Sequence, residues 1–417
     1  MVKVLDVREA DPKEIVARLR RPGGFLSEKV RDAARRIVND VRDRGDEALL
    51  EYTERFDGVR PDPIRVPPEE IRSARESLDT EAEESFGVAI ENVRSFHERE
   101  MDHPWEISRG GATMGQRVRP LRRAGLYVPG GHAAYPSTLV MSAVPAQVAG
   151  VGEIAVCAPP GPEGKVSPNV LAVAGLLNLD EVYGVGGAQA VGAMAYGTQS
   201  ISPVNKIVGP GNDYVVAAKL EVFGVVGVDA PAGPSEVVVI AEAGAFPERV
   251  AYDLMAQAEH LSGASAVLLT PSAELIHSGE PLLSGEPADL ITLVRVRDAA
   301  QAVEITNEYA PEHAHVISED PEAILQSLDA VGMVAIGDFS PVALGDYAAG
   351  PSHALPTGGA AAWASALGTH DFTARTNYIR YTPEALAALG PHVERLARLE
   401  GFENHARSVG VRLREEL

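Results

Sequence analysis

Cysteine is nearly absent: Cys157 is the only one in 417 residues. One thiol excludes an intrachain disulfide and any zinc site built from several thiolates. It lies in the apolar run Ile154-Ala155-Val156-Cys157 with no His beside it in sequence, so it reads as a small buried hydrophobe and not as a nucleophile. Lysine is scarce as well, confined to Lys3, Lys13, Lys29, Lys165, Lys206 and Lys219, and the formal net charge is −22. No basic stripe offsets that charge, which opposes binding to phosphate backbones and excludes nucleic acid as an expected partner. No run is long and apolar enough to span a bilayer, and Met1–Asp6 lacks the apolar stretch of a signal peptide, so no membrane partner and a cytoplasmic location are expected. No complete G-x-G-x-x-G follows a strand either. Gly184-Val185-Gly186-Gly187-Ala188-Gln189 comes nearest, with Gln189 where the third glycine belongs, so a standard dinucleotide fingerprint is absent.

What is present is ordinary globular material, 45% hydrophobic and 23% charged, and long enough for two to four domains. Ser27 caps a predicted helix running through Val30, Ala34, Ile37, Val38 and Val41, with Gly45-Asp46 as an interruption before Ala48–Tyr52. A second long amphipathic helix is predicted after Pro67-Pro68-Glu69-Glu70. Both read as packing elements without chemistry of their own. From about residue 124, β-branched runs alternate with Ala-rich helices: strands at Gly125–Val128, Glu153–Cys157, Glu181–Val185 and Lys206–Val208, with helices between them. Asp229–Ser235 breaks the rhythm. A second series follows, with strands at Glu236–Ile240, Ala266–Leu269, His315–Ile317 and Val331–Ile336, and helices over Pro247–His260 and Asp298–Tyr309. From Pro383 a helical tail is predicted to end near Glu416. The fold class is therefore α/β, with two Rossmann-like parallel-sheet domains, N-terminal helices and a small C-terminal helical tail domain.

Chemistry concentrates between Tyr309 and Gly358. Ala310-Pro311-Glu312-His313 places two titratable groups of different type side by side, and Asp346 and His353 stand seven positions apart among glycines and prolines that fix a loop's path. Gln257 and His260, at the end of a predicted helix, are three apart and so share a face. With Asp346 and one further His (His353, His370, His392 or His405) they make an N/O set without sulfur, suited to Zn²⁺, Mn²⁺ or another borderline metal. Tyr127 before Gly130, Gln189 after Gly187 and Asn212 after Gly211 mark three turns at the carboxyl ends of predicted parallel strands, where open α/β sheets bind ligands.

These segments, with Gly125–Gly131, Lys206–Asn212, Pro231–Glu236, Gln257–His260, Ala310–His313 and Gly345–Gly359 in this order, and Glu400-Gly401 followed by His405, resemble the L-histidinol dehydrogenase family over nearly the whole chain. The resemblance implies oxidation of L-histidinol to L-histidine with two NAD, as part of histidine biosynthesis. It also implies one Zn²⁺ per subunit on Gln257, His260, Asp346 and His405. Proton transfers would fall to Glu312 and His313. Ser235, His353 and Glu400 would contact substrate along with His313 and the metal ligands, and Tyr127, Gln189 and Asn212 would contact NAD. A homodimer is implied, its site shared between subunits. The implied domains are a short segment 1–22, residues 23–113 joined with 236–366, residues 114–235, and a tail 367–417 that reaches the partner. Ser142, His132, Leu261 and His315 depart from the family's usual pattern. The alternative is a zinc-dependent dehydrogenase of the same superfamily acting on another polar alcohol, such as a sulfonated diol.

Overall fold

The computed structural model describes residues 2–20, 26–130, 134–260 and 263–414. They form two compact units, Met1–Glu100 with Leu121–Phe372, and Met101–Pro120 with Thr373–Leu417.

The first unit holds two parallel sheets. One has five strands, in the spatial order Val182–Tyr183, Glu153–Cys157, Arg123–Tyr127, Lys206–Val208, Gly227–Val228. The other has six: Lys3–Asp6, Ile291–Arg295, Ser265–Thr270, Glu236–Ala241, His313–Ile317, Met333–Ile336. Counted along the chain within each series, both sheets run third-second-first-fourth-fifth. Lys3–Asp6 is an added edge strand on the second. The α/β reading is met, and the winding is the same twice.

Alternation along each strand builds a core on both faces. In the five-stranded sheet Ala124, Leu126, Ile154 and Val156 face one cluster with Val140, Leu171, Ile71 and Val93. Tyr127, Ala155, Cys157 and Ile207 face the other with Val191, Met194, Ile37, Val38 and Val41. The helices between residues 28 and 97 thus pack on this first sheet, whereas the family-based division groups 23–113 with 236–366. In the six-stranded sheet Val237, Val239 and Leu268 meet Val250 and Leu254 on one side, and Val238, Ile240 and Leu269 meet Ile15 and Ile305 on the other.

Ser27 does cap its helix, Glu28–Arg44, accepting the Val30 N–H, and Gly45 (φ +62°) separates it from Asp46–Asp57. The long helix expected after Pro67 is two, Pro68–Glu76 and Thr80–His97, because Asp79 accepts the Ala82 N–H and starts a new one. The helix expected over Pro247–His260 stops at Ala258.

The second unit is an antiparallel three-stranded sheet, Thr373–Tyr381, Ala112–Pro120, Trp105–Arg109, with the helices Pro383–Leu399 and Glu403–Leu413. Pairing of Ala112–Pro120 with Thr373–Tyr381 draws residues 101–120 into the tail's unit, which a division at 367 does not include. Gly401, at φ +82°, separates the two tail helices, and Glu416 lies outside the described residues.

Candidate active site

The candidate acid–base pair sits where a helix hands over to a strand. Ala299–Tyr309 ends at Ala310, which adopts φ +47°, and Pro311 then commits the chain to leave the helix. Glu312 follows, and His313 opens the strand His313–Ile317, in register with Val237 and Met333. Both side chains are buried, 6% and 3% exposed. The Glu312 backbone carbonyl accepts from Met333 N at 2.9 Å, and a Cβ on Gly332 would lie 2.6 Å from that oxygen, so only glycine allows this approach. One carboxylate oxygen, Oε2, accepts the Glu236 N–H at 2.8 Å.

His313 lies between two carboxylates: Nδ1 is 3.6 Å from Glu312 Oε2, and Nε2 is 3.4 Å from Asp346 Oδ1. Among the described residues neither nitrogen makes a close hydrogen bond, and the two carboxylates act on the ring mainly through their charge. Burial disfavours its charge, but the two anions outweigh burial and raise its pKa. Burial likewise pushes Asp346 upward. It is overruled by His313, His353 and His260, which keep that carboxyl below its usual value. Asp346 is carried on the short helix Val342–Tyr347. His353 donates from Nδ1 to the Asp346 backbone carbonyl at 2.7 Å, which leaves Nε2 to accept from Thr138 Oγ1 at 3.0 Å. Burial lowers the His353 pKa, in keeping with that neutral tautomer.

Gln257 and His260 differ in burial, although the turn continues between them, with the His260 N–H on the Gln257 carbonyl at 3.3 Å. Gln257 is buried in the last turn of Pro247–Ala258, with Nε2 unpartnered, whereas His260 lies past the helix end and is exposed. Ser235 is half-buried just before Glu236–Ala241. Glu400, at the end of Pro383–Leu399, and His405, tilted on the Phe402 ring, are exposed in the second unit. Among the described residues no three His, Cys, Asp or Glu side chains gather closely enough to hold a metal.

The NAD-contact candidates converge on a separate cleft of about 1330 Å³ at the carboxyl ends of the five-stranded sheet. The Tyr127 hydroxyl accepts the Gly187 N–H at 3.1 Å, pinning the turn into Gly187–Tyr196. Gln189 is buried with Oε1 unpartnered. Asn212 is the N-cap of Asp213–Val222, accepting from Tyr214 N and Val215 N at 3.1 and 3.2 Å. The turn before it requires glycine: at Gly209 (φ +121°) a Cβ would stand 2.1 Å from the Tyr127 carbonyl oxygen. Lys219 and Asp229 pair in the interior and lock that turn, Lys219 donating to Gly209 O at 3.0 Å and Asp229 accepting from Gly209 N at 2.7 Å.

Comparison with known proteins identifies the lineage. A family model described as histidinol dehydrogenase matches residues 23–413. The histidinol dehydrogenase of Geobacillus kaustophilus is 45% identical over 413 residues, covering 95% of this chain and 96% of its own. That of Methanothermobacter thermautotrophicus is 44% identical, covering 91% and 92%. The chain belongs to the histidinol dehydrogenase family. A crystal structure of histidinol dehydrogenase from Elizabethkingia anophelis superposes with a TM-score of 0.92 at 32% identity, over 99% of this chain and 98% of that one. The chain is thus an oxidoreductase-family member, and among its described residues no helix is long and apolar enough to cross a membrane.

Sequence reasoning missed Thr138, Glu236 as a partner of Glu312, the Lys219–Asp229 pair, and Asp57, one of whose oxygens is buried without a partner in the cleft wall. Only the Pro231–Glu236 motif carried a signal, for Glu236. Of the departures from the family pattern, Ser142 is buried with its hydroxyl unpartnered, and His315 bridges Asp253 and Gly337 O, both at 2.9 Å. Gly131, His132 and Leu261 lie outside the described residues. Cys157 is buried, and burial lifts its thiol pKa to about 12, as expected of a packing residue.

Proposed function

We propose that this chain oxidises L-histidinol to L-histidine through L-histidinaldehyde, passing two hydrides to two NAD. The observation that carries the reading is the buried His313 ring set between Glu312 and Asp346 in a histidinol dehydrogenase family member. Overall, one alcohol, one water and two NAD⁺ give one carboxylate, two NADH and three protons, so the site must move protons in both halves. His313 takes the alcohol proton at Nε2 while hydride leaves carbon. Glu312 then activates water for the aldehyde: its Oε2 is occupied by the Glu236 N–H, which leaves Oε1 for the water proton. His313 serves again as hydride leaves the hydrated aldehyde.

The residues fit a zinc ion. Asp346, held ionised by His313, His353 and His260, is an anionic oxygen donor of the kind zinc takes. Gln257, His260, Asp346 and His405 would hold it, and a Zn²⁺ bound by them would supply a Lewis acid that helps orient the polar substrate. Engaged by such an ion, Asp346 would offer His313 less negative charge, which would lower the ring's basicity toward the range a general base needs. The cleft likewise fits NAD: Gln189 offers an unpartnered buried oxygen, and the amino end of Gly187–Tyr196 opens beside it. Glu400 and His405 belong, on this reading, to a site completed by the tail of a second copy in a homodimer. Inactive Asp346→Ala and His405→Ala chains should complement each other when refolded together, and no recovery in proven mixed dimers counts against sharing.

The test of the reaction is stoichiometry. Limiting L-histidinol with excess NAD should yield two NADH per substrate and L-histidine as product. One NADH per substrate, or no turnover after Zn²⁺ is supplied, overturns the reading.

A further inference from the structure

Dinucleotide-binding sheets usually read the ribose with an acid at the end of their second strand. Here the second strand, Glu153–Cys157, runs into Ala158-Pro159-Pro160-Gly161, which has none. The cleft nevertheless holds a carboxylate in an unfavourable setting. Asp57 is the last residue of the helix Asp46–Asp57, where the helix dipole disfavours negative charge. It lines the cleft with Tyr127 and Gln189, and its Oδ2 is buried without a hydrogen-bond partner. It forms no ion pair among the described residues, although Arg36 and Arg55 line the same cleft. The other lining acids differ: Glu70 lies 3.5 Å from Lys165, and Glu163 is exposed. Burial raises the Asp57 pKa to about 6, and its charge is felt at the buried Tyr127 phenol. Among the described residues nothing compensates this group, so its partner is to be sought in what fills the cleft.

We infer that Asp57 is a specificity-determining residue that accepts hydrogen bonds from the ribose diol of the nicotinamide dinucleotide and excludes a 2′-phosphorylated one. The chemistry requires a diol in reach of a carboxylate: hydroxyls satisfy the orphaned oxygen, whereas a phosphate dianion meets it as a like charge. Arg36 and Arg55 supply positive charge to a pyrophosphate, and Asp57 decides which ribose follows it. The inference rests on the cleft being the NAD site.

Binding is the readout, independent of turnover. NADH and NADPH fluorescence titrations are run on the full chain, on Asp57→Asn and on Asp57→Ala, with thermal melts confirming that each variant folds. The unaltered protein should bind NADH at least about 100-fold more tightly than NADPH. Both variants should bring that ratio below about tenfold, through weaker NADH and tighter NADPH binding. An unchanged ratio in either folded variant overturns the role of Asp57 while leaving the NAD site standing. If the unaltered protein binds neither dinucleotide, the cleft reading itself fails and the inference falls with it.

Discussion

The two parallel sheets of the first unit are wound in the same order, yet they place chemistry at opposite ends. The five-stranded sheet follows the usual rule for open α/β sheets: its cleft lies at the carboxyl ends, bordered by Tyr127, the Gly187 turn and Asn212. In the six-stranded sheet the proposed acid–base residues stand at the amino ends. Glu312 and His313 enter one strand, Ser235-Glu236 enters its neighbour, and Gly332 precedes the next. Gln257 comes to the same end because its helix runs back antiparallel to the strands. The opposite end of that sheet is closed by protein. Glu242 N donates to Ile317 O at 3.0 Å, and the Glu242 carboxylate accepts from Ser318 Oγ at 2.6 Å and Glu319 N at 3.1 Å. Winding therefore offers a crevice, and the side chains at the strand ends decide whether it stays open.

The largest expected effect comes from the amino-end site. Glu312→Gln should lower aldehyde oxidation about 10²–10⁴-fold and spare alcohol oxidation relatively, whereas His313→Asn should damage both halves by a similar factor. Single-turnover NADH formation from histidinol and from histidinaldehyde separates the two. Equal, mild losses would take the pair out of the chemistry and leave this sheet without a distinct role.

The next contrast sets two glycines at carboxyl ends against each other. Gly209 borders the open cleft and Gly337 the closed end, at φ +121° and +83°. A Cβ at Gly209 would strike the Tyr127 carbonyl oxygen at 2.1 Å, whereas Gly337 has no atom within 4 Å of that position. Gly337→Ala should cost only the strain of its backbone, about 1 kcal/mol, with turnover unchanged. Gly209→Ala should cost about 3 kcal/mol or more and weaken NADH binding about tenfold or more, since the Tyr127 and Asn212 turns must shift. Denaturant melts and NADH titration read both. Equal costs at the two positions would mean that the open end is no more tightly built than the closed one.

Much of this was legible along the chain. Fully buried parallel strands such as Glu236–Ala241 announce themselves as β-branched runs, and Glu312-His313 reads as an acid–base pair from adjacency alone. The antiparallel sheet gave the weaker signal: Trp105 and Ile107 alternate with Glu106 and Ser108, but every residue of Trp105–Arg109 is exposed, and the partner of Ala112–Pro120, Thr373–Tyr381, joins from far along the chain. Lys3–Asp6 buries only Leu5. Convergence was the other blind spot. Thr138 meets His353 across 215 residues, and Glu236 meets Glu312 across 76. Gln257 and His260 stay three apart on one continuing turn, but spacing alone does not show that the first is buried and the second exposed.

The smallest expected effect compares one acid from each site whose pKa burial raises. Burial raises the Asp57 pKa to about 6, and burial, reinforced by Glu312, raises Glu236 to about 7. For an acid whose folded pKa lies above its unfolded value, the folded state binds more protons between the two, so stability falls as pH rises through that window and stays low above it. The windows run from 3.8 to about 6 for Asp57 and from 4.5 to about 7 for Glu236. Asp57→Asn and Glu236→Gln remove the charge while keeping an oxygen acceptor, which in Glu236 receives the Gly358 N–H at 3.1 Å. Each variant should match the unaltered protein near pH 4 and exceed it at pH 8. Allowing for solvent screening, the gain is about 1–2 kcal/mol for Glu236→Gln and below about 1 kcal/mol for Asp57→Asn. Thermal melts at both pH values check it, and saturating NADH should erase the gain for Asp57→Asn alone, because the unaltered carboxylate then has its ribose partner. A gain at pH 4, or the same NADH response in both variants, would show that the two acids are not held at cost for two separate sites.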